Sequence, residues 1–170
     1  MTGTRVVQRM LWLLAIIVAV VLLDQSIKQI MVDWIGPAAD SNRYEVIGRF
    51  AAFEYLENRG AAFGLFSQGT LVLATVSVVI IAIGLVAMAH FAVEEFWLSA
   101  AIALVLGGAI GNAIDRFSRG FVVDYIAIGR FWKFNLADSA VSIGVVLIFL
   151  LLWSAENGAE HQETSQESEV

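Results

Sequence analysis

An all-α membrane protein of four transmembrane helices, with a small β-sheet on the outer face of the bundle, is the fold this sequence predicts. Three observations predict it. The 170-residue chain is 59% hydrophobic and 15% charged, with a mean hydropathy of +0.77; a soluble domain is about half apolar and about a quarter charged. Four apolar segments, at about 10–32, 71–91, 96–116 and 136–153, have roughly the 20 residues that a helix needs to cross a bilayer. The connections between them, 33–70 and 117–135, carry short aromatic and β-branched runs that read as strands.

The first segment follows Arg5 and Arg9 and runs uninterrupted from Met10 to Leu23. That pattern opens like a signal peptide. Leu22-Leu23-Asp24-Gln25 follows, however, rather than a small-x-small cleavage site, so a retained helix is expected. Asp24 and Lys28 lie one turn apart and are spaced for an ion pair. Tyr44–Ile47 and Phe50–Leu56 read as strands inside a β-rich stretch over about 40–66. The third segment becomes rich in small residues toward its end, as helices that pack closely in lipid do. Phe121–Ile128 reads as a further strand, and Gly129 as the turn after it. Helices are expected for the spans because lipid leaves backbone groups no partner outside the segment. Residues 1–155 form one membrane domain. Residues 156–170 are acidic and polar with almost nothing to bury, and are expected to be disordered. No internal repeat is visible.

Composition also removes some chemistries. With no cysteine there is no disulfide and no thiolate nucleophile, and with only His90 and His161 a zinc site is not expected. No metal, cofactor or nucleic-acid partner is expected. The net charge of −6 comes largely from the tail and says little about partners. Loop charge, counted naively, favours the longer connections on the cytoplasmic side, unless some of their cations are fixed in the fold. Arg5 and Arg9 mark the N-terminal side as cytoplasmic, whereas Arg43, Arg49, Arg59, Arg116, Arg119, Arg130 and Lys133 load the two longer connections on the other side.

The chemistry-bearing residues cluster at helix ends and in loops. Asp124 and Asp138 lie fourteen residues apart, beside strongly apolar segments. A carboxylate near hydrocarbon costs about 2.5–3.5 kcal/mol at a helix centre on insertion scales, so chains keep such groups mainly for chemistry or ion movement. Paired carboxylates suit an aspartyl protease, one acting as acid and the other as base on a shared water. The bland alternative is two loop carboxylates, with Asp138 favouring the positive end of the fourth helix. Gly107-Gly108-Ala109-Ile110-Gly111-Asn112-Ala113-Ile114-Asp115-Arg116 closes the third segment and puts Gly108, Asn112 and Asp115 on one helical face. Arg116 is spaced to share a partner with Asn112. A packing motif explains the glycines but not Asn112 and Asp115. Asp115 is expected to be structural, accepting bonds from the neighbouring loop or from Arg119. Asn58-Arg59-Gly60-Ala61-Ala62-Phe63-Gly64 is a polar loop motif, or simply a turn before the second helix.

With these motifs in order, the chain resembles the lipoprotein signal peptidase (signal peptidase II) family over about residues 10–155. Asp24-Gln25-Ser26-Ile27-Lys28 matches that family's first motif, and Asn58–Gly64 its Asn-x-Gly-Ala-Ala-Phe-Gly loop. Gly107–Arg116 matches the Gly-Gly-Ala-x-Gly-Asn-x-x-Asp-Arg block. Val122-Val123-Asp124 and Phe134-Asn135-Leu136-Ala137-Asp138-Ser139 match the two aspartate motifs. The resemblance implies an aspartyl endopeptidase of the bacterial inner membrane with four helices and both termini cytoplasmic. The sheet and active site would then be extracytoplasmic. It implies cleavage of prolipoproteins just before a cysteine carrying diacylglycerol, within membrane lipid, and sensitivity to cyclic peptides such as globomycin. Asp124 and Asp138 take the catalytic positions. Asn112, Arg116, Asn135, Asn58, Asp24, Lys28 and Gly108 take supporting or substrate-binding ones.

Three rivals predict different patterns. A proton-coupled transporter would place titratable groups at the midplane of several helices, often with repeats. A scaffold protein would not need clustered Asn, Asp and Arg. A serine–lysine protease would need a free lysine, and Lys28 has Asp24 as its expected partner while Lys133 lies in a loop.

Overall fold

The computed structural model describes residues 3–39, 41, 43–60, 69–91 and 95–167. Among these the elements run α1 (Gly3–Ile35), β1 (Arg43–Ile47), β2 (Ala51–Asn58), α2 (Gly69–Phe91), α3 (Phe96–Ser118), β3 (Val122–Ile128), β4 (Trp132–Phe134) and α4 (Leu136–Glu167). All four helices have a stretch long and apolar enough to cross a membrane.

Helix α3 is the axis. Two thirds of its most apolar window is buried (67%), against 11–17% for the other three helices, and it packs on α1, α2 and α4 in turn. Its small residues make this possible. A Cβ on Gly107 would meet the Val20 side chain at 2.7 Å, and one on Gly108 would meet the Ala137 carbonyl at 2.3 Å. The half of the bundle away from the sheet is filled by Leu13, Ile17, Met88, Leu98, Ile102, Ala103 and Leu106. The outer faces of α1, α2 and α4 expose Leu, Ile, Val and Phe, as lipid-facing helices do when the bilayer supplies the apolar surroundings. On α1, Trp12 and Trp34 are both exposed. Their 22-residue separation spans about 33 Å at 1.5 Å per residue, close to the ≈ 30 Å hydrocarbon thickness at whose edges tryptophan concentrates.

The sheet is antiparallel in the order β1-β2-β3-β4. Gly129 takes a positive φ of 62° at the β3–β4 turn, as expected for a glycine there. Trp34 at the end of α1 stacks on Tyr44 at 4.8 Å, fastening the sheet to the bundle. Glu54 reaches Arg43 and Lys133, so one carboxylate ties β2 to β1 and to the middle of β4. Burial works against that charge, but the two cations outweigh it and hold the Glu54 carboxyl below its usual range.

Four helices and a small sheet agree with the sequence expectation; several boundaries differ. Helix α1 starts at Gly3 and ends at Ile35 rather than spanning 10–32. Hydropathy marks the stretch in lipid, whereas the helix stops where Gly36-Pro37 breaks it. Strand β4 was not anticipated; at three residues it is too short to leave an alternating pattern. Helix α4 is described to Glu167. Ala155, Glu156, Ala159 and Glu160 are good helix formers, and an existing helix extends without a new nucleation step. Residues 61–66 of the β-rich stretch, and with them Ala61–Gly64 of the loop motif, lie outside the described residues.

Candidate active site

The sheet end of the bundle holds a buried polar network built on three helices and one strand. Its centre is Lys28 on α1, fully buried. Its ammonium lies 2.8 Å from Asp24 Oδ2 and 2.9 Å from Asp115 Oδ2, and donates to Asn112 Oδ1 at 3.0 Å. Three protons meet three acceptors, the condition under which a buried charge is tolerated. The Asp24–Lys28 pair was expected from spacing. The Lys28–Asp115 pair was not, because it joins α1 to α3. Gln25 also went without a role in the sequence reading. Its Nε2 lies 3.1 Å from Asp24 Oδ2, 3.1 Å from the Gly111 carbonyl and 3.3 Å from Asp115 Oδ1. An amide on an otherwise apolar helix was the available signal. Gly111 admits this cluster: a Cβ there would sit 2.6 Å from Asp24 Oδ2.

The first turn of α4 is the second feature. A helix start leaves its first amides without intrahelical partners. Here each is met. Leu136 N donates to Tyr125 Oη at 3.1 Å, Ala137 N to Asp24 Oδ1 at 3.0 Å, and Asp138 N to Asn135 Oδ1 at 2.9 Å. Ser139 N bonds the Asn135 carbonyl at 3.2 Å. Asp24 is thus a link between α1 and α4, beyond its pairing with Lys28. Gly108 belongs to the same junction, since its missing side chain lets Ala137 lie against α3.

Asp124 and Asp138 meet at this junction. Asp124 is buried on β3 and Asp138 half-buried in the first turn of α4. Every one of their four oxygens accepts a hydrogen bond. Asn135 Nδ2 donates to Asp124 Oδ1 at 3.1 Å and Asn58 Nδ2 to Asp124 Oδ2 at 2.9 Å. Asn112 Nδ2 donates to Asp138 Oδ1 at 2.7 Å and Asn135 N to Asp138 Oδ2 at 3.2 Å. Asn58 reaches Asp124 because it pairs opposite Val122 in the β2–β3 ladder, which puts Asp124 on its diagonal. Asn135 Nδ2 also lies 3.0 Å from Asn112 Oδ1, closing a loop between the two carboxylates.

Asp115 holds this arrangement in place. Its Oδ2 accepts Val123 N at 3.1 Å, the amide next to Asp124, and its Oδ1 lies 3.6 Å from Arg119 Nε. Arg119 is the partner that the spacing predicts; Val123 lies in β3 rather than in a loop. Arg116 donates to Ser77 Oγ at 3.2 Å and to the Asn112 carbonyl at 3.4 Å, so among the described residues it shares no hydrogen-bonded partner with the Asn112 side chain. It does sit within electrostatic reach of Asp138 and Asp124.

Burial and neighbouring groups move the Asp124 carboxyl away from its usual range. Burial, opposed by the Asn58 hydrogen bond and aided by the charge of Asp138, pushes the Asp124 carboxyl up to about 6. Burial also raises the Tyr125 hydroxyl to about 12, so it stays protonated while its oxygen accepts Leu136 N. A carboxyl that holds its proton more tightly than usual, joined through Asn135 to a second carboxyl, can divide acid and base work with it on one water. Among the described residues, no three His, Cys, Asp or Glu side chains converge where a metal ion would be held.

Comparison with known proteins gives the family. The family model for signal peptidase (SPase) II matches residues 16–154. A lipoprotein signal peptidase of Streptococcus thermophilus is 34% identical over 148 residues, which is 85% of this chain and 94% of that protein. One of Moorella thermoacetica is 43% identical over 118 residues, 68% of this chain and 78% of that protein. A solved bacterial membrane enzyme superposes with a TM-score of 0.69 at 32% identity, covering 86% of this chain and 90% of its own. A second gives 0.67 at 34% identity, covering 82% and 91%. Four apolar helices carrying a small antiparallel sheet, and a family match that takes in every residue of the polar network, place this chain in the signal peptidase II family, as a multi-pass membrane peptidase of lipoprotein processing.

Proposed function

We propose that the chain is an aspartyl endopeptidase that removes the signal peptide of a diacylglyceryl-modified prolipoprotein, cutting the bond just before the lipidated cysteine. The observation that carries this reading is Asn135, whose one side chain and backbone amide hold Asp124 and Asp138 together. In the proposed reaction a water sits between the two carboxyls. Ionised Asp138 takes a proton from it as its oxygen attacks the scissile carbonyl carbon. Protonated Asp124 donates its proton to the carbonyl oxygen, giving a neutral tetrahedral diol. Asp138 then passes its proton to the nitrogen of the cysteine as the C–N bond breaks, and Asp124 regains a proton from a diol hydroxyl. Repulsion between the two carboxyls resists their joint ionisation, and Arg116 lies within electrostatic reach to stabilise the one that is charged. Asn112, Asn58 and Asn135 hold the carboxyl planes; Asp24, Lys28 and Gly108 hold the helices that carry them.

In this reading the dyad and sheet face the extracytoplasmic side of the bacterial inner membrane, with both termini cytoplasmic. Substrates are lipidated signal peptides lying in the bilayer, and cyclic peptides such as globomycin compete with them. The test is cleavage of a diacylglyceryl-modified prolipoprotein by the purified chain in detergent. Cleavage should require the lipid on the cysteine and should stop in Asp124→Asn. Cleavage of the unlipidated precursor at equal rate would refute the proposed specificity.

A further inference from the structure

The end of the bundle farthest from the aspartates carries a cleft that the peptidase reaction does not use. Its volume is about 680 Å³, and it lies between the start of α1 and the start of α3. Arg5, Arg9 and Trp12 line it from α1, and Glu95, Phe96 and Trp97 from the beginning of α3. Arg5 to Trp12 precede the stretch that the family match covers.

Its depth in the membrane follows from α1. Arg9 is 15 residues from Asp24, about 22 Å along a helix, so the cleft opens at the opposite edge of the hydrocarbon layer. Trp12 and Trp97 are both well exposed there, as tryptophans at the level of lipid headgroups are. Among the described lining residues the charges are mixed: two guanidiniums and one carboxylate. The Arg9 guanidinium lies 5.9 Å from the Phe96 ring centroid, which orients it within the cleft. Arginine recognises phosphate through paired N–H donors, and basic pockets between membrane helices suit lipid headgroups. Two guanidiniums alone would suit any anionic head. Glu95 adds an acceptor for a cation, which an anionic head with a neutral polar group does not supply.

We propose that this cleft binds the headgroup of one glycerophospholipid carrying both a phosphate and a primary ammonium. Arg5 and Arg9 take the phosphate, Glu95 takes the ammonium, and Trp12 and Trp97 lie along the glycerol and upper acyl chain. The proposal does not depend on the reaction described above.

Native mass spectrometry of the full chain in detergent tests it, with dioleoyl phosphatidylethanolamine, phosphatidylcholine and phosphatidylglycerol added at equal concentration. Glycerophosphoethanolamine serves as the free-headgroup probe. The wild type should retain phosphatidylethanolamine over phosphatidylcholine, whose quaternary ammonium cannot donate a hydrogen bond. Arg5→Gln with Arg9→Gln should lower retention by about fivefold for each arginine removed. Glu95→Gln should erase the preference for the primary ammonium while leaving phosphatidylglycerol bound. Circular dichroism confirms that each variant is folded. Equal retention by wild type and the double arginine variant would mean an unspecific lipid shell and overturn the site. An unchanged preference in Glu95→Gln would overturn the ammonium assignment. Displacement of the lipid by equimolar glycerophosphoethanolamine would overturn the lipid as the ligand.

Discussion

Asn135 and Asp138 cap one another. The Asn135 side-chain oxygen accepts the Asp138 amide at 2.9 Å, and the Asp138 carboxylate accepts the Asn135 amide at 3.2 Å. This is the reciprocal capping box of a helix start, and it fixes the rotamer of a carboxylate that is half open to its surroundings. The same Asn135 side chain then turns to Asp124. Helix capping and placement of the proposed dyad are one set of bonds.

Asp124→Asn and Asp138→Asn should each abolish cleavage while the protein stays folded. An amide keeps the shape but cannot exchange the proton that a dyad needs. General acid–base work contributes roughly 10²–10⁴-fold, and loss of a shared water activation should exceed that range. Turnover per folded molecule, with near-UV circular dichroism as the folding check, decides it.

Asp124 predicts two pH effects. Its folded carboxyl is raised to about 6 from 3.8, so the folded chain binds this proton more tightly than the unfolded one. The stability it contributes is complete below pH 3.8 and is lost as pH rises through about 6. Thermal midpoints of Asp124→Asn should lack that component. The high-pH limb of kcat/KM should begin near the same value in the free enzyme.

Asn58→Leu should move that limb to higher pH. The Asn58 hydrogen bond favours the ionised form of Asp124, so its loss raises the carboxyl further. A pH–rate profile with an unmoved or lowered limb would show that Asn58 does not act on Asp124.

Lys28→Met should cost about 3–5 kcal/mol, because it strands Asp24 and Asp115 without their shared cation. Asp115→Asn should cost less and should lower stability more than turnover per folded molecule. The two substitutions together should be less damaging than their sum, since they act on one pair. Unfolding in detergent measures all three. Vanished turnover with unchanged stability in Asp115→Asn would move Asp115 into the reacting centre.

Tyr125→Phe should slow turnover with little change in KM. The phenol removed is the acceptor of Leu136 N, and an unmet buried amide costs about 1–3 kcal/mol. The first turn of α4 should loosen and Asp138 with it. Rescue is not expected from a residue that restores bulk alone, and amide exchange at Leu136 reports the loosened bond.

Local sequence alone determined the four spans, three of the four strands, the Gly129 turn and the Asp24–Lys28 pair. Each depends on residues a few positions apart: apolar runs, alternation, i,i+4 spacing. The family motifs singled out Asn58, Asn112, Arg116, Asp124, Asn135 and Asp138, because those residue types recur in a fixed order. Only the tertiary structure decided what each one touches. Asp24 serves an amide 113 positions away, Lys28 a carboxylate on another helix, and Tyr125 the first amide of α4. No spacing rule reaches across such distances, since these bonds exist only after α3 has brought α1, β3 and α4 to one place.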